Sequence, residues 1–221
     1  MGCLTPILGS TKNANRICKE RNANADQAQV IHYFRDERGC LKKGIPDSEF
    51  DTNKNRQINA LNLKQKALNK LGIDEDQVKE IEPIMLIGPD YDNSEFTWEG
   101  TNGALRYSAY QITYIFCSSD QVYVYTYTIN LDKNDKKERS EEYFYKDITN
   151  FTTVDEDKTI SSYSFKGGCL PKVNKKTKTV ATSEFKIVVS GDKYLCSMVP
   201  NDETEGKIQA LKAKLREKKN S

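Results

Sequence analysis

One histidine, His32, in 221 residues leaves this chain nearly without the side chain that most often serves as general acid, general base or metal ligand. Its six cysteines, at positions 3, 18, 40, 117, 169 and 196, are dispersed and include no Cys-x-x-Cys pair. That excludes the common zinc spacing and the dithiol redox motif. They read as buried free thiols, because disulfides require export. Ser118-Ser119 lacks the flanking glycines of a nucleophile elbow, and no phosphate-cradling glycine pattern occurs. These absences point away from an enzyme and from any cofactor. Also missing are a run of about 20 apolar residues, as a spanning helix needs, and a basic lead followed by an apolar core at the start. Met1-Gly2-Cys3 opens like an acylation site, but Pro6 stands where that pattern takes Ser or Thr. The expectation is a cytoplasmic protein. Net charge is nearly absent too, 34 Lys+Arg against 32 Asp+Glu giving +2, so attraction to nucleic acid or membrane must come from local patches.

What the chain does hold is aromatic: twelve Tyr and eight Phe within a 37% hydrophobic composition, ample for a core of modest size. The length suits two small domains, and the residue types divide accordingly. Residues 10–82 are rich in Ala, Lys, Gln and Leu with apolar residues at helical spacing. Ala28, Ile31 and Phe34 mark one helix, to be stopped by Gly39 or Gly44. Ile58, Leu61, Leu68 and Leu71 mark a second stripe closed by Gly72. Asp74 caps a short third helix through Val78 and Ile81. The division is thus a helical region, 1–83, and a second region, 84–221.

Past Pro89 the period becomes 2. Tyr110, Ile112, Tyr114 and Phe116 alternate along one strand, Ser118-Ser119-Asp120 turns the chain, and Tyr123, Tyr125, Tyr127 and Ile129 share a face of the next, a hairpin. Lys133 to Glu141 reads as a charged loop and Glu142 to Val154 as a further strand, with a Lys-Asp-Ile turn at 146–148. Thr159 to Phe165 is a weaker strand ended by Gly167-Gly168. Phe185, Ile187 and Val189 lead through Ser-Gly-Asp into Tyr194 to Val199. Asp202 or Thr204 caps a terminal helix whose Ile208, Leu211 and Leu215 form one apolar stripe.

Strands, a charged loop, Tyr143-Phe-Tyr-Lys-Asp-Ile-Thr149, then Phe185-Lys-Ile-Val-Val-Ser-Gly191 and a closing helix from Glu203 to Lys219 resemble a bacterial pleckstrin-homology-like domain over residues 84–219. The resemblance implies an α+β chain: an N-terminal helical region plus a pleckstrin-homology-like antiparallel β-barrel capped by a C-terminal α-helix, with Leu211 and Leu215 plugging one end. It also implies a binding scaffold. The segment Glu99 to Arg106, where inositol-lipid-binding relatives gather basic residues, holds only Arg106, so that ligand does not carry over.

Two motifs compete with bland readings. Asp51, Asn53 and Asn55, with Ile58, match the start of a calcium loop, but Arg56 replaces the turn glycine and Asn62 the closing glutamate. The plainer reading is a polar loop with Asp51, Thr52 or Asn53 capping the next helix. From Lys158 to Ser183 no acid occurs, while Lys158, Lys166, Lys172, Lys175, Lys176 and Lys178 surround Gly167-Gly168-Cys169. Lys166, Lys172, Lys175, Lys176 and Lys178 are therefore the candidate anion- or lipid-binding residues, on a flexible loop worth about 1 kcal/mol per lysine at an anionic surface. The bland alternative is a solvated hairpin. The tyrosine ladder at 123, 125 and 127 reads as core or sheet surface rather than a base-stacking platform, so nucleic acid is not favoured. The leading expectation is noncatalytic recognition of a protein partner, with the helices as second interface or cover. The alternative is peripheral binding to anionic membrane through residues 166–178.

Overall fold

The computed structural model describes residues 11–36, 44–78, 81–166, 172–199 and 202–220. The N-terminal stretch forms α1 (Thr11–Glu20), α2 (Ala25–Arg35), α3 (Asp47–Ala60) and α4 (Leu63–Leu71), followed by a 3-10 turn, Glu75–Val78. Asn24 starts α2 with a reciprocal cap. Its side chain accepts from the Gln27 N–H, and Gln27 Oε1 accepts from the Asn24 N–H, satisfying two donors that a helix start leaves orphaned. α2 ends at Arg35, ahead of Gly44 and of Gly39, which lies outside the described residues. The stripe from Ile58 to Leu71 is broken in two, because Asn62 takes a left-handed φ of 45° between α3 and α4. Gly72, at φ 66°, ends α4 as its position predicts. Asp74 starts only the 3-10 turn, its N–H donating to Gln77 Oε1. The polar loop expected at Asp51 is also corrected: α3 starts at Asp47 and runs through Asp51, Thr52 and Asn53, so these residues neither cap a helix nor form a calcium loop.

Two sheets follow. The first joins β1 (Ile84–Pro89), β4 (Ala109–Cys117), β5 (Gln121–Asn130) and β6 (Lys136–Phe144) in the order β1-β4-β5-β6, all antiparallel. The second joins β2 (Thr97–Glu99), β3 (Leu105–Tyr107), β7 (Ile148–Lys166), β8 (Lys172–Val189) and β9 (Asp192–Met198) in the order β3-β2-β7-β8-β9, with only β2 and β7 parallel. A terminal helix, α5 (Asp202–Asn220), closes the described chain. The architecture is therefore mixed α+β. Among the described residues the two sheets do not join into one closed ladder. They meet at a corner, where the Val199 N–H donates to Ile87 O at 2.9 Å and Ser197 Oγ donates to Pro89 O at 2.9 Å. Gly88 permits this approach, since a Cβ there would fall 2.4 Å from Ser197 Oγ and 2.5 Å from the Ser197 carbonyl carbon.

The hairpin predicted around Ser118-Ser119-Asp120 is present, with Tyr114 opposite Tyr125 and Phe116 opposite Tyr123. The charged loop is not. Residues 136–144 are β6, and only 131–135 connect it to β5. An edge strand solvated on both sides shows no apolar alternation, which is why its period was hidden. The single strand expected from Glu142 to Val154 divides at Tyr145-Lys146-Asp147, where the Asp147 N–H donates to Phe144 O at 3.0 Å.

Alternation along β4 and β5 serves two cores. Ile112, Phe116, Tyr125 and Tyr127 point out of the sandwich and pack under Phe34, Phe50 and Leu68 of the helices. Ile115, Val122 and Val124 point inward, against Phe151 and Phe185 of the second sheet and Ile208, Leu211 and Leu215 of α5. The tyrosine ladder is thus covered by helices. A polar lock holds α3 to the β2–β3 hairpin. The Asp47 carboxylate accepts from Tyr33 Oη at 2.8 Å, from the Thr101 N–H at 2.7 Å and from Thr101 Oγ1 at 2.8 Å, while Arg106 reaches Asp51 at 2.8 Å.

Leu211 is fully buried, so Leu211→Ala should lower stability by about 3 kcal/mol in urea unfolding. Burial alone would raise the Asp47 carboxyl, but the Thr101 and Tyr33 hydrogen bonds and the Arg106 charge outweigh it and hold it below its ordinary 3.8. A depressed folded value means stability that is present above that pH and lost as the pH falls through it. Asp47→Asn should therefore cost about 2 kcal/mol at neutral pH, and the gap between variant and wild type should narrow as urea titrations are carried below pH 3.8.

Candidate functional site

The five candidate lysines do not form a loop. Lys172, Lys175, Lys176 and Lys178 lie on β8 and Lys166 ends β7. The two strands pair from Ile148/Val189 outward to Lys166/Lys172. Gly167-Gly168-Cys169 lies outside the described residues. Thr177, Thr179 and Val180 supply the strand preference, and a face of lysines and threonines conceals the alternation. β9 pairs with β8 only from Ser183 to Val189, so the rest of the hairpin projects past it as an arm. The acid-free stretch is not acid-free in space. Glu99 of β2 receives Lys178 at 3.1 Å and Lys176 at 3.8 Å, and Asp92 lies 3.6 Å from Lys158, whose ammonium sits 4.9 Å from the Tyr91 ring centroid. Lys175, opposite Tyr163, falls on the other face of the strand from Lys176 and Lys178.

A second site escaped sequence reading. The inner face of the first sheet is graded along its strands. At the α5 end it presents Ile115, Cys117, Val122 and Val124. At the other end the register sets Gln111 beside Thr128 and Lys137, and Thr113 beside Thr126 and Arg139. This polar end faces β9 and the segment between β1 and β2 across a cleft of about 570 Å3, lined by Asp90, Asp92, Asn93, Lys137, Arg139 and Tyr194 among others. Its floor is a buried chain of hydroxyls. Tyr194 Oη lies 2.7 Å from Thr126 Oγ1 and donates to it, and Thr126 and Thr113 share a hydrogen at 2.8 Å. Burial pushes the Tyr194 phenol well up, and the Cys196 thiol behind it up to about 12, so both stay protonated.

At the rim, the Arg139 guanidinium stacks 4.4 Å from the Tyr194 ring centroid. Lys137 donates to Asn93 Oδ1 at 3.0 Å. Asp90 is occupied within its own turn, accepting from the Asn93 N–H and Nδ2. Two carboxylates (Asp90, Asp92) and two cations (Lys137, Arg139) line the cleft, alongside amide and hydroxyl groups, while Glu138 at its edge turns its carboxylate to Lys66 and Lys70 of α4. It can offer donors and acceptors to a polar, uncharged or mixed-charge chain. The available signal was that Gln111, Thr113, Thr126 and Thr128 alternate with the aromatic ladder at one end only.

His32 Nδ1 lies 2.8 Å from Asp36, and burial together with the Asp36 charge raises the nearby Cys18 thiol, whereas a reactive cysteine needs it lowered. Among the described residues no group of three His, Cys, Asp or Glu is placed to hold a metal ion, and no helix is long and apolar enough to cross a membrane. No protein family, curated protein or solved structure matches the chain.

Tyr194→Phe removes one hydrogen bond inside a chain that Thr113 and Thr126 can still complete. It should cost about 1 kcal/mol by chemical denaturation. Leu195→Ser, at an exposed neighbour on the cleft rim, should change stability by less than about 0.5 kcal/mol.

Proposed function

We propose that this chain is a noncatalytic recognition module of the cytoplasm, built on a pleckstrin-homology-like scaffold, and that it binds a polar segment of a protein partner in the cleft opposite α5. The scaffold reading is supported by strand order. With the short β2–β3 hairpin set aside, a four-stranded antiparallel meander is followed by a three-stranded one and by a helix whose Ile208, Leu211 and Leu215 seal one end of the space between them. The observation that carries the functional reading is the unsealed end, where an inner face turns from aliphatic to hydroxyl, amide and charge around a cleft of about 570 Å3. Concave sites of this size with a few convergent polar groups are the usual places for binding. Its lining mixes both signs of charge, which suits a polypeptide segment better than a uniformly anionic surface.

The membrane alternative through residues 166–178 has less support. Lys176 and Lys178 share their charge with Glu99, and the lysines stand on paired strands that fix their spacing. Arg106, the only basic residue of the 99–106 segment, is buried and bonded to Asp51.

A photo-crosslinking residue placed at Leu195, compared with one at the exposed Ala213 of α5, tests the proposal in cells that make the chain. Leu195 should yield discrete protein adducts that disappear with Arg139→Ala, and Ala213 should not. Adducts confined to lipid, or equal adducts at both positions, would reject it.

A further inference from the structure

The arm presents an open strand edge. Between Lys172 and Thr182, β8 is paired with β7 on one side, and among the described residues no strand pairs with its other side, because β9 starts its pairing only at Ser183. Eleven residues of extended backbone make an open edge about 36 Å long at 3.3 Å per residue. Every second residue on it turns an N–H and a C=O outward, the template on which another strand can be added. Lys175, Lys176, Thr177 and Thr179 are exposed on it.

Charge decides which strand it can take. The edge itself, Lys172 to Thr182, carries four lysines (172, 175, 176 and 178) and no acid, while Asp92 and Glu99 lie within 4 Å of Lys158, Lys176 and Lys178 and Glu156 and Asp157 sit on the paired strand. Lysine on an edge strand normally prevents pairing with indiscriminate partners. A second copy of this chain is disfavoured in the register centred on Thr177: two β8 edges paired antiparallel there would set each Lys176 directly against the other copy's Lys178, and like charges facing one another destabilise a strand pair. A carboxylate-rich strand added here would face Lys175 on one side of the ladder and, on the other, Lys176 and Lys178, which it would share with Glu99.

We propose that the free edge of β8 from Lys172 to Thr182 binds an extended acidic peptide segment by strand addition, with Lys175, Lys176 and Lys178 selecting its charge. This site is separate from the cleft, so its failure leaves the cleft reading intact.

The test uses the full chain and two labelled peptides of equal charge and length, an alternating Thr-Glu repeat and an alternating Pro-Glu repeat. Only the first has the N–H groups a ladder needs. Fluorescence anisotropy should show the Thr-Glu peptide binding at least about tenfold more tightly, with loss of that binding in Lys175→Glu/Lys176→Glu/Lys178→Glu. Hydrogen exchange should slow on bound chain within 172–182. An unchanged thermal midpoint in the triple variant would confirm that the loss is not unfolding. Equal affinity for both peptides would reduce the site to nonspecific charge attraction and overturn the proposal. So would protection elsewhere on the chain, no peptide binding, or binding only to anionic phosphatidylserine vesicles.

Discussion

Everything else in this structure depends on β4 and β5 being buried on both faces. In most antiparallel sheets one face meets solvent, and a strand then alternates between apolar and polar residues. Here the outward set, Tyr110, Ile112, Phe116, Tyr125 and Tyr127, needs a cover, and α2, α3 and α4 supply it with Phe34, Phe50 and Leu68. The inward set needs the second sheet and α5. Neither core is complete without this pair of strands, so the helical region is held by the same sheet that forms one wall of the sandwich. α2 contributes in two directions, Ile31 meeting α1 while Val30, Tyr33 and Phe34 meet the strands.

Apolar contact sets no unique position for helices lying on a sheet, and the position is fixed by carboxylates that behave oppositely. Asp47 is held ionised by its donors, so its charge favours the folded state. Asp132 differs. It is 1% exposed and receives Arg21 at 2.6 Å, yet burial outweighs the Arg21 charge and pushes its carboxyl up. A raised folded value in an acid means a contribution that is fully present below the unfolded value and lost as the pH rises, whereas for Arg21 burial is outweighed by Glu95 and Asp132, which raise it, so the two partners pull stability in opposite directions. What the pair does is specify geometry. Arg21 also binds Glu95 at 2.8 Å, and Glu95 binds Arg35 at 2.9 Å. These pairs tie α2 and the end of α1 to the segments around Glu95 and Asp132.

How much of this was legible in the sequence follows from how many faces each element buries. Strands β4 and β5 were plain because their aromatic residues alternate, and α5 was plain because Ile208, Leu211 and Leu215 recur at helical spacing. Gly72 marked its helix end for the reason glycine usually does. β6 was lost because Lys136 to Glu142 bury little on either side, so no period betrays a strand whose pairing comes from its neighbour. The lysine arm was mistaken for a loop on the same account: between Lys172 and Lys178 the sequence shows charge, and only its pairing with residues 160–166 shows extension. Asp51 and Asn53 looked like ligands because oxygen-bearing residues at alternate positions are ambiguous. Within α3 one bonds Arg106 and the other, nearly fully buried, donates to Asp26 O. The Glu99 carboxylate that draws in Lys176 and Lys178 is more than 70 residues away in sequence, beyond any local reading.

The graded inner face says most about use. Thr113 and Thr126 are buried, and their hydroxyls bond one another, Tyr194 Oη and the Cys196 thiol. Replacing such a set with apolar groups of similar shape is commonly neutral or stabilising, and the aliphatic residues two positions further along each strand, Ile115 and Val124, show that the sheet accommodates them. Stability alone therefore does not account for hydroxyls at this end. In the proposed reading they are the floor of a cleft compatible with water and with a polar occupant, while α5 confines the aliphatic packing to the opposite end.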